Sequence, residues 1–309
     1  MTDNKVIFIV GPTATGKTEL AAKLAKRFDS EVISADSMQV YRGMHIASAA
    51  PDEAETQGVK HNLIEFLPYG AEFTVADYAD MARKEIKRIL KSGKTPIVAG
   101  GTGLYINALL NNVNFLPVKT DIALREALSR EYDESGGEEM LRRLALLDSE
   151  AAKKLNAADK RRIVRAFEIY KTSGITKSEQ NARSVLSPPD FKAIVIGITF
   201  KDRRALYERI NRRVDIMLNK GLLDEAKAAY SSGASGGARQ AIGHKEFFPY
   251  FKGEITLDEA VEALKTATRR YAKRQLTWFR RYTEINWIYR DTTSDIFAEA
   301  LKITEREEG

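Results

Sequence analysis

The sequence predicts an α/β protein in which a parallel sheet carries helices on both faces and is interrupted by an all-helical insertion. Three observations predict it. Apolar runs at Val6–Val10, Glu31–Ser34 and Thr95–Ala99 alternate with helix-period segments at Glu19–Phe28 and Val75–Lys91, the signature of strands that pair in parallel through helical crossovers. Gly93 stops the second helix just past its last turn. From about Val118 to Gly174 only helical patterns occur, broken at Ser135-Gly136-Gly137. A strand-like run returns at Ala193–Ile198, after a hinge at Ser187-Pro188-Pro189, and the remainder reads as helical with a frayed, charged end from Thr304 to Gly309. The expected core is therefore 1–116 with 190–309, and the expected insertion 117–189.

The first strand runs into Gly11-Pro12-Thr13-Ala14-Thr15-Gly16-Lys17-Thr18, which fits the phosphate-binding pattern G-x-x-x-x-G-K-[ST] between strand and helix. Its glycines let successive N–H groups face one anion, and the helix N-terminus adds its positive end. Lys17 supplies a point charge, and the Thr18 hydroxyl is suited to Mg²⁺. The core is thus P-loop NTPase-like, and its ligand carries a diphosphate or triphosphate. Open sheets of this kind bind ligands at the carboxyl ends of their strands, where the loop, Asp36 and Gly100 all fall. Asp36, in Ser34-Ala35-Asp36-Ser37-Met38-Gln39-Val40-Tyr41, is equally a proton acceptor, a water-mediated Mg²⁺ contact or a helix cap. The turn Gly100-Gly101-Thr102-Gly103-Leu104-Tyr105 either lets a ligand approach the backbone or meets a steric need of the turn alone.

Downstream, Arg203 to Leu218 reads as an amphipathic helix with Leu206, Ile210, Val214 and Met217 inward, which turns Arg209, Arg212 and Arg213 elsewhere. One of these arginines is a candidate diphosphate clamp, against a simple solvated role. Lys265, Arg269, Arg270, Lys273, Arg274, Arg280 and Arg281 lie in one stretch with no acidic residue among them, interleaved with Tyr271, Trp278 and Phe279. Cations and aromatic faces on one broad helical face suit phosphates and unstacked bases better than an ordinary solvated face. Arg239, His244 and Lys245 add a basic loop before it. The net charge of +6 is concentrated at this end. The stretch lacks the apolar face that would insert it into a lipid surface.

Composition removes several classes. With no cysteine and three histidines among 309 residues, neither a disulfide framework nor a Cys/His zinc site can be built. The N-terminus has no secretory pattern, and no run of about 18 apolar residues offers a membrane span. The reading is a cytoplasmic monomer with no membrane partner.

Taken together, Gly11–Thr18, Ser34-Ala35-Asp36-Ser37 with Tyr41-Arg42-Gly43-Met44, Gly100–Tyr105 and Lys273-Arg274-Gln275-Leu276-Thr277-Trp278-Phe279-Arg280 closely resemble the tRNA dimethylallyltransferase family, also called the tRNA isopentenyltransferase or IPP transferase family. The likeness spans nearly the whole chain, and the absence of a zinc-finger extension resembles the bacterial form. The resemblance implies that the loop holds dimethylallyl diphosphate as co-substrate, with Mg²⁺. It implies transfer of the dimethylallyl group to N6 of the adenosine on the 3′ side of the anticodon, in tRNAs reading codons that begin with U, with release of diphosphate. By the same resemblance Asp36 is the general base, Thr18 the Mg²⁺ and diphosphate ligand, and Arg213 a diphosphate contact beside Lys17. The implied tRNA contacts are Asp36, Ser37, Met38 and Gln39, then Thr102, Arg125, Arg161, Arg162 and Arg165, and the stretch with Lys273, Arg274, Trp278 and Arg280. The basic loop with Arg239 and Lys245 is read with them. Thr15 stands where the family often has serine, and His244 where it often has tyrosine. The insertion corresponds to the family's helical swivel domain. Rival readings are an ATP-dependent small-molecule kinase, an isopentenyltransferase acting on free adenosine nucleotides, and an RNA-binding NTP switch; the first and third leave the loop in place, and the second lacks the tRNA surface.

Overall fold

The computed structural model describes residues 4–115, 121–184, 188–233 and 237–306. The chain divides into two compact units, Met1–Leu110 with Pro189–Gly309, and Asn111–Pro188. The expected insertion edge at residue 117 lies outside the described residues.

In chain order the first unit opens with β1 (Lys5–Val10), α1 (Lys17–Arg27), β2 (Val32–Ser34), two single-turn helices α2 (His45–Ser48) and α3 (Glu53–Thr56), and β3 (His61–Asn62). It continues with α4 (Val75–Lys91), β4 (Ile97–Gly100) and α5 (Gly103–Leu110). The second unit holds α6 (Ile122–Ser135), α7 (Gly137–Leu147), α8 (Ser149–Ala152), α9 (Lys160–Ser173) and α10 (Lys177–Ser184). The first unit resumes with β5 (Lys192–Thr199), α11 (Arg203–Asn219), α12 (Leu222–Ser231), α13 (Phe248–Phe251), α14 (Leu257–Phe279), β6 (Asn286–Tyr289) and α15 (Ile296–Arg306).

The six strands form one sheet in the order β3-β2-β4-β1-β5-β6, and every pairing is parallel. Because side chains alternate along a strand, β1 feeds two cores. Val6, Phe8 and Val10 pack with Tyr78, Ile86 and Ile89 of α4, Tyr105 and Ile106 of α5, and Phe279 of α14. Ile7 and Ile9 pack with Leu20 and Leu24 of α1 and with Ala300 and Ile303 of α15. Both faces are thus covered by helices, and each large apolar side chain so buried contributes about 1.5–3 kcal/mol. Parallel pairing sets the carboxyl ends of β1, β2, β4, β5 and β6 along one edge of the sheet.

Three expectations are corrected here. The C-terminal part is not wholly helical, because β6 extends the sheet beyond β5. Its sequence Asn-Trp-Ile-Tyr buries Ile288 alone, so no apolar run marks it. The two-residue β3 was missed for the same reason. Third, the chain does not fray from Thr304: α15 continues to Arg306, with Ile303 in the core and the Thr304 hydroxyl donating to the Leu301 carbonyl at 2.7 Å.

Among the described residues the named elements of the second unit are all helices. Met140, Leu144, Ile163 and Ala166 build its own core. Asp148 caps two helices at once, accepting from Ala151 N at 3.0 Å and from Ser178 N at 2.8 Å. Among the described residues, no helix is long and apolar enough to cross a membrane.

Candidate active site

The loop after β1 is built to present backbone N–H groups. Ala14 at φ 65° and Gly16 at φ 88° take left-handed conformations that curl the chain, and a Cβ on Gly16 would strike the Arg290 guanidinium. The loop's carbonyls are occupied by side chains. Pro12 O accepts from Thr15 Oγ1 at 3.0 Å and Lys17 Nζ at 2.6 Å, Ala14 O from Arg209 Nε at 2.7 Å, and Thr15 O from Arg290 Nη1 at 3.3 Å. Gly16, the N-cap of α1, offers no side-chain cap, so the first-turn N–H groups of α1 remain for an anion.

The loop opens on a cavity of about 880 Å³ lined by Lys17, Thr18, Asp36, Ser37, Arg213 and Tyr271, among others. Burial, reinforced by the neighbouring Arg213, pushes the Lys17 ammonium down to about 7, against the opposing pull of Asp36. Burial likewise lowers the Arg213 guanidinium from its usual range, and its Nη1 donates to Thr13 Oγ1 at 3.3 Å. Two desolvated cations held together resist their own charge, so the arrangement is complementary to a multiply charged anion. Burial raises the Asp36 carboxyl above the ordinary carboxylate range, although Met38 N donates to its Oδ1 at 2.9 Å. One Asp36 oxygen thus caps a turn, while the residue lines the cavity together with Lys17.

The turn after β4 abuts the Asp36 turn. Ser37 N donates to Thr102 Oγ1 at 3.0 Å, and Thr102 N to Ala35 O at 3.1 Å. Its glycines answer to packing by α14, because a Cβ on Gly101 would strike the Gln275 amide and one on Gly103 the Trp278 indole.

The remaining expected residues fall in several places. Met38, Gln39, Lys245 and Arg274 line the cavity with Ser37. The Gln39 amide bridges Ser34 Oγ and Ala49 O at 2.7 and 3.1 Å. Lys273 and Arg280 are exposed on and just past α14, and Arg239 lies 5.2 Å over the Phe248 ring. Trp278 is half-buried against Gly103, with the Arg281 guanidinium 5.2 Å over its ring. Arg125, Arg161, Arg162 and Arg165 belong to the second unit. There Arg161 and Arg162 are exposed, while Arg125 and Arg165 both pair with Glu168, whose side chain is fully buried, at 3.0 and 2.8 Å. Burial opposes ionisation of Glu168, yet the hydrogen bonds from Arg125 and the ion pair with Arg165 outweigh it and hold its carboxyl below the usual range.

Three expectations about the basic region are corrected. His244 is fully buried and bonded to Glu225 at 3.0 Å, so it adds nothing to an exposed basic loop. Lys265 is neutralised by Asp215 at 2.8 Å and Glu262 at 3.7 Å, which the uninterrupted run of positive residues concealed. Phe279 belongs to the sheet core and offers no face to a base. Sequence reasoning missed Gln275, Arg290 and Glu168 as site-building groups. The partners of Gln275 and Arg290 lie far away in the chain, and only the unusual glycine at 101 hints at Gln275, whereas Glu168 pairs with Arg165 three residues before it and what the sequence hid is its burial and its second partner, Arg125.

Among the described residues no cluster of three or more His, Cys, Asp or Glu could cage a metal ion. The donors at hand, the Thr18 hydroxyl and the Asp36 carboxylate beside a phosphate site, fit Mg²⁺, which keeps most of its shell as water and phosphate oxygen.

A family model described as IPP transferase matches residues 39–282. The tRNA dimethylallyltransferase of Acetivibrio thermocellus is 47% identical over 290 residues, covering 93% of this chain and 92% of that protein. That of Bacillus subtilis is 43% identical over 305 residues, covering 97% and 95%. The crystal structure of a tRNA isopentenylpyrophosphate transferase from Bacillus halodurans superimposes with a TM-score of 0.73 at 40% identity, covering 99% of this chain and 98% of that one. A eukaryotic dimethylallyltransferase acting on tRNA gives a TM-score of 0.81 at 28% identity, covering 99% and 79%. This chain belongs to the IPP transferase family.

Proposed function

We propose that this enzyme transfers the dimethylallyl group of dimethylallyl diphosphate to N6 of the adenosine 3′ of the anticodon, in tRNAs reading codons that begin with U. The observation that carries this reading is one cavity holding both halves of the chemistry. Lys17, Arg213 and the loop N–H groups form an anion cradle, and the Asp36 carboxylate of raised basicity faces it. In the reaction the N6–carbon bond forms as the carbon–oxygen bond to diphosphate breaks. The bonding pair leaves with diphosphate, and the N6 proton passes to Asp36. Lys17, Arg213 and the loop neutralise charge growing on the leaving group, and removing one such donor costs about 2.7–4 kcal/mol in the transition state. Asp36 meets the other need, because the N6 lone pair is delocalised into the ring and the nucleophile gains strength only as it loses its proton. When bound, Mg²⁺ held by Thr18 supplies further charge neutralisation on the diphosphate.

The target base must leave the anticodon stack to reach this cavity, at a cost of a few kcal/mol. Binding to Lys273, Arg274 and Arg280 of the C-terminal region, and to Arg125, Arg161, Arg162 and Arg165 of a tRNA-contacting insertion, offsets it. In this reading the enzyme acts as a monomer where tRNA is found, in the cytoplasm.

The test mixes the protein and Mg²⁺ with labelled dimethylallyl diphosphate and unmodified tRNA, with parallel arms containing ATP plus tRNA or free adenosine nucleotide. Label in the tRNA is the expected result. Label in the nucleotide alone, or consumption of ATP without label transfer, overturns it.

A further inference from the structure

We propose that Gln275 is a positioning residue that locks the phosphate loop to the turn bearing Thr102, so that α14 sets the shape of the diphosphate cradle; this rests on the prenyl-transfer reading. The side chain is 5% exposed. Its Oε1 accepts from Thr13 N at 2.9 Å, and its Nε2 donates to Gly101 O at 3.0 Å. The two partners demand opposite ends of a primary amide, since one is a donor and the other an acceptor, which fixes the orientation of the group. A glycine is needed at 101 because a Cβ there would occupy the space of this amide. The neighbouring Arg274 and Tyr271 line the cavity. One stretch of α14 thus grips both turns that frame the site. Gln275 borders the cavity, but both ends of its amide are engaged by Thr13 N and Gly101 O, so its effect runs through Thr13 and the loop that follows. A cradle of N–H groups displaced by about 1 Å forfeits roughly 100-fold in rate.

Two substitutions separate this role from a merely structural one. Gln275→Met keeps the length and loses both hydrogen bonds. Gln275→Glu, when ionised, loses the donor to Gly101, and when protonated it regains both an acceptor and a donor. The readouts are binding of inorganic pyrophosphate with Mg²⁺, kcat/KM for dimethylallyl diphosphate, and tRNA affinity by filter binding. Gln275→Met is expected to lower pyrophosphate affinity and kcat/KM by roughly 100-fold, with tRNA affinity unchanged. For Gln275→Glu the pyrophosphate affinity relative to the parent protein rises as pH falls. Unchanged pyrophosphate binding in Gln275→Met overturns the assignment, as does a parallel loss of tRNA affinity. If that variant does not fold, the pH ratio of Gln275→Glu decides, and a flat ratio overturns it. Failure of the parent to prenylate tRNA strikes the proposed reaction, whereas the pyrophosphate measurements still judge Gln275.

Discussion

A lysine buried beside an arginine is an unusual thing to build, and at this site it makes ligand binding sensitive to pH. With burial pushing Lys17 down to about 7, a fraction of the free enzyme carries a neutral amine at neutral pH. Diphosphate restores the charge and raises the bound-state value, so binding takes up a proton. Affinity is then full below about pH 7 and falls as pH rises through 7 toward the bound-state value. Calorimetric titration of pyrophosphate across this range should show that fall, beyond the slope owed to the ligand's own ionisation. Lys17→Arg, which keeps its charge, should lack the extra slope; identical slopes would remove Lys17 as its source. Asp36 makes the complementary prediction. Asp36→Asn keeps the shape of the turn and removes the proton acceptor, so turnover should fall by about 10²–10⁴, with tRNA affinity nearly intact. A near-parent rate would exclude Asp36 as the base. Both residues were legible in the sequence because their setting is local: a strand end, a glycine-rich loop and a helix start within a few residues. Gln275 and Arg290 were not, because they meet the loop across 262 and 275 residues, and no local pattern encodes such a pairing.

At the scale of elements, apolar runs revealed the strands that are buried on both faces and hid those that are not. β1 and β5 read clearly because almost every residue is buried, whereas the edge strand β6 buries Ile288 alone. The basic helix was legible as an uninterrupted run of charge, but its sidedness was not, because Asp215 comes to Lys265 from α11. Among the cations on its exposed side, Lys273, Arg274 and the following Arg280 have the chemistry to track an RNA backbone. Arg274→Ala with Arg280→Ala should weaken tRNA binding and flatten its log–log salt dependence by roughly 0.7–0.9 per lost phosphate contact. Filter binding across a salt series gives the slope, and an unchanged slope would return these residues to ordinary solvated surface.

Across the whole molecule, the apolar clusters of the first unit draw on residues from 6–110 and 191–303, and that of the second on residues from 132–167. Each unit therefore has the means to bury its own apolar surface, the condition for folding alone. The diphosphate cavity is likewise lined by residues of the first unit, from Thr13 to Gln275. Replacing 111–188 by a long Gly/Ser linker should thus leave a protein that unfolds cooperatively and binds pyrophosphate as the full chain does. Its transfer of label to tRNA should collapse, because Arg125, Arg161, Arg162 and Arg165 leave with the excised segment. Thermal unfolding with and without pyrophosphate separates the outcomes. At a ligand concentration 100 times its Kd a folded cradle gains about 2.7 kcal/mol, and the transition moves up accordingly. An excised protein that gains this stabilisation and still prenylates tRNA at the parent rate would deny the insertion any part in holding tRNA. One that unfolds without cooperativity would show that the sheet unit depends on the helices inserted into it.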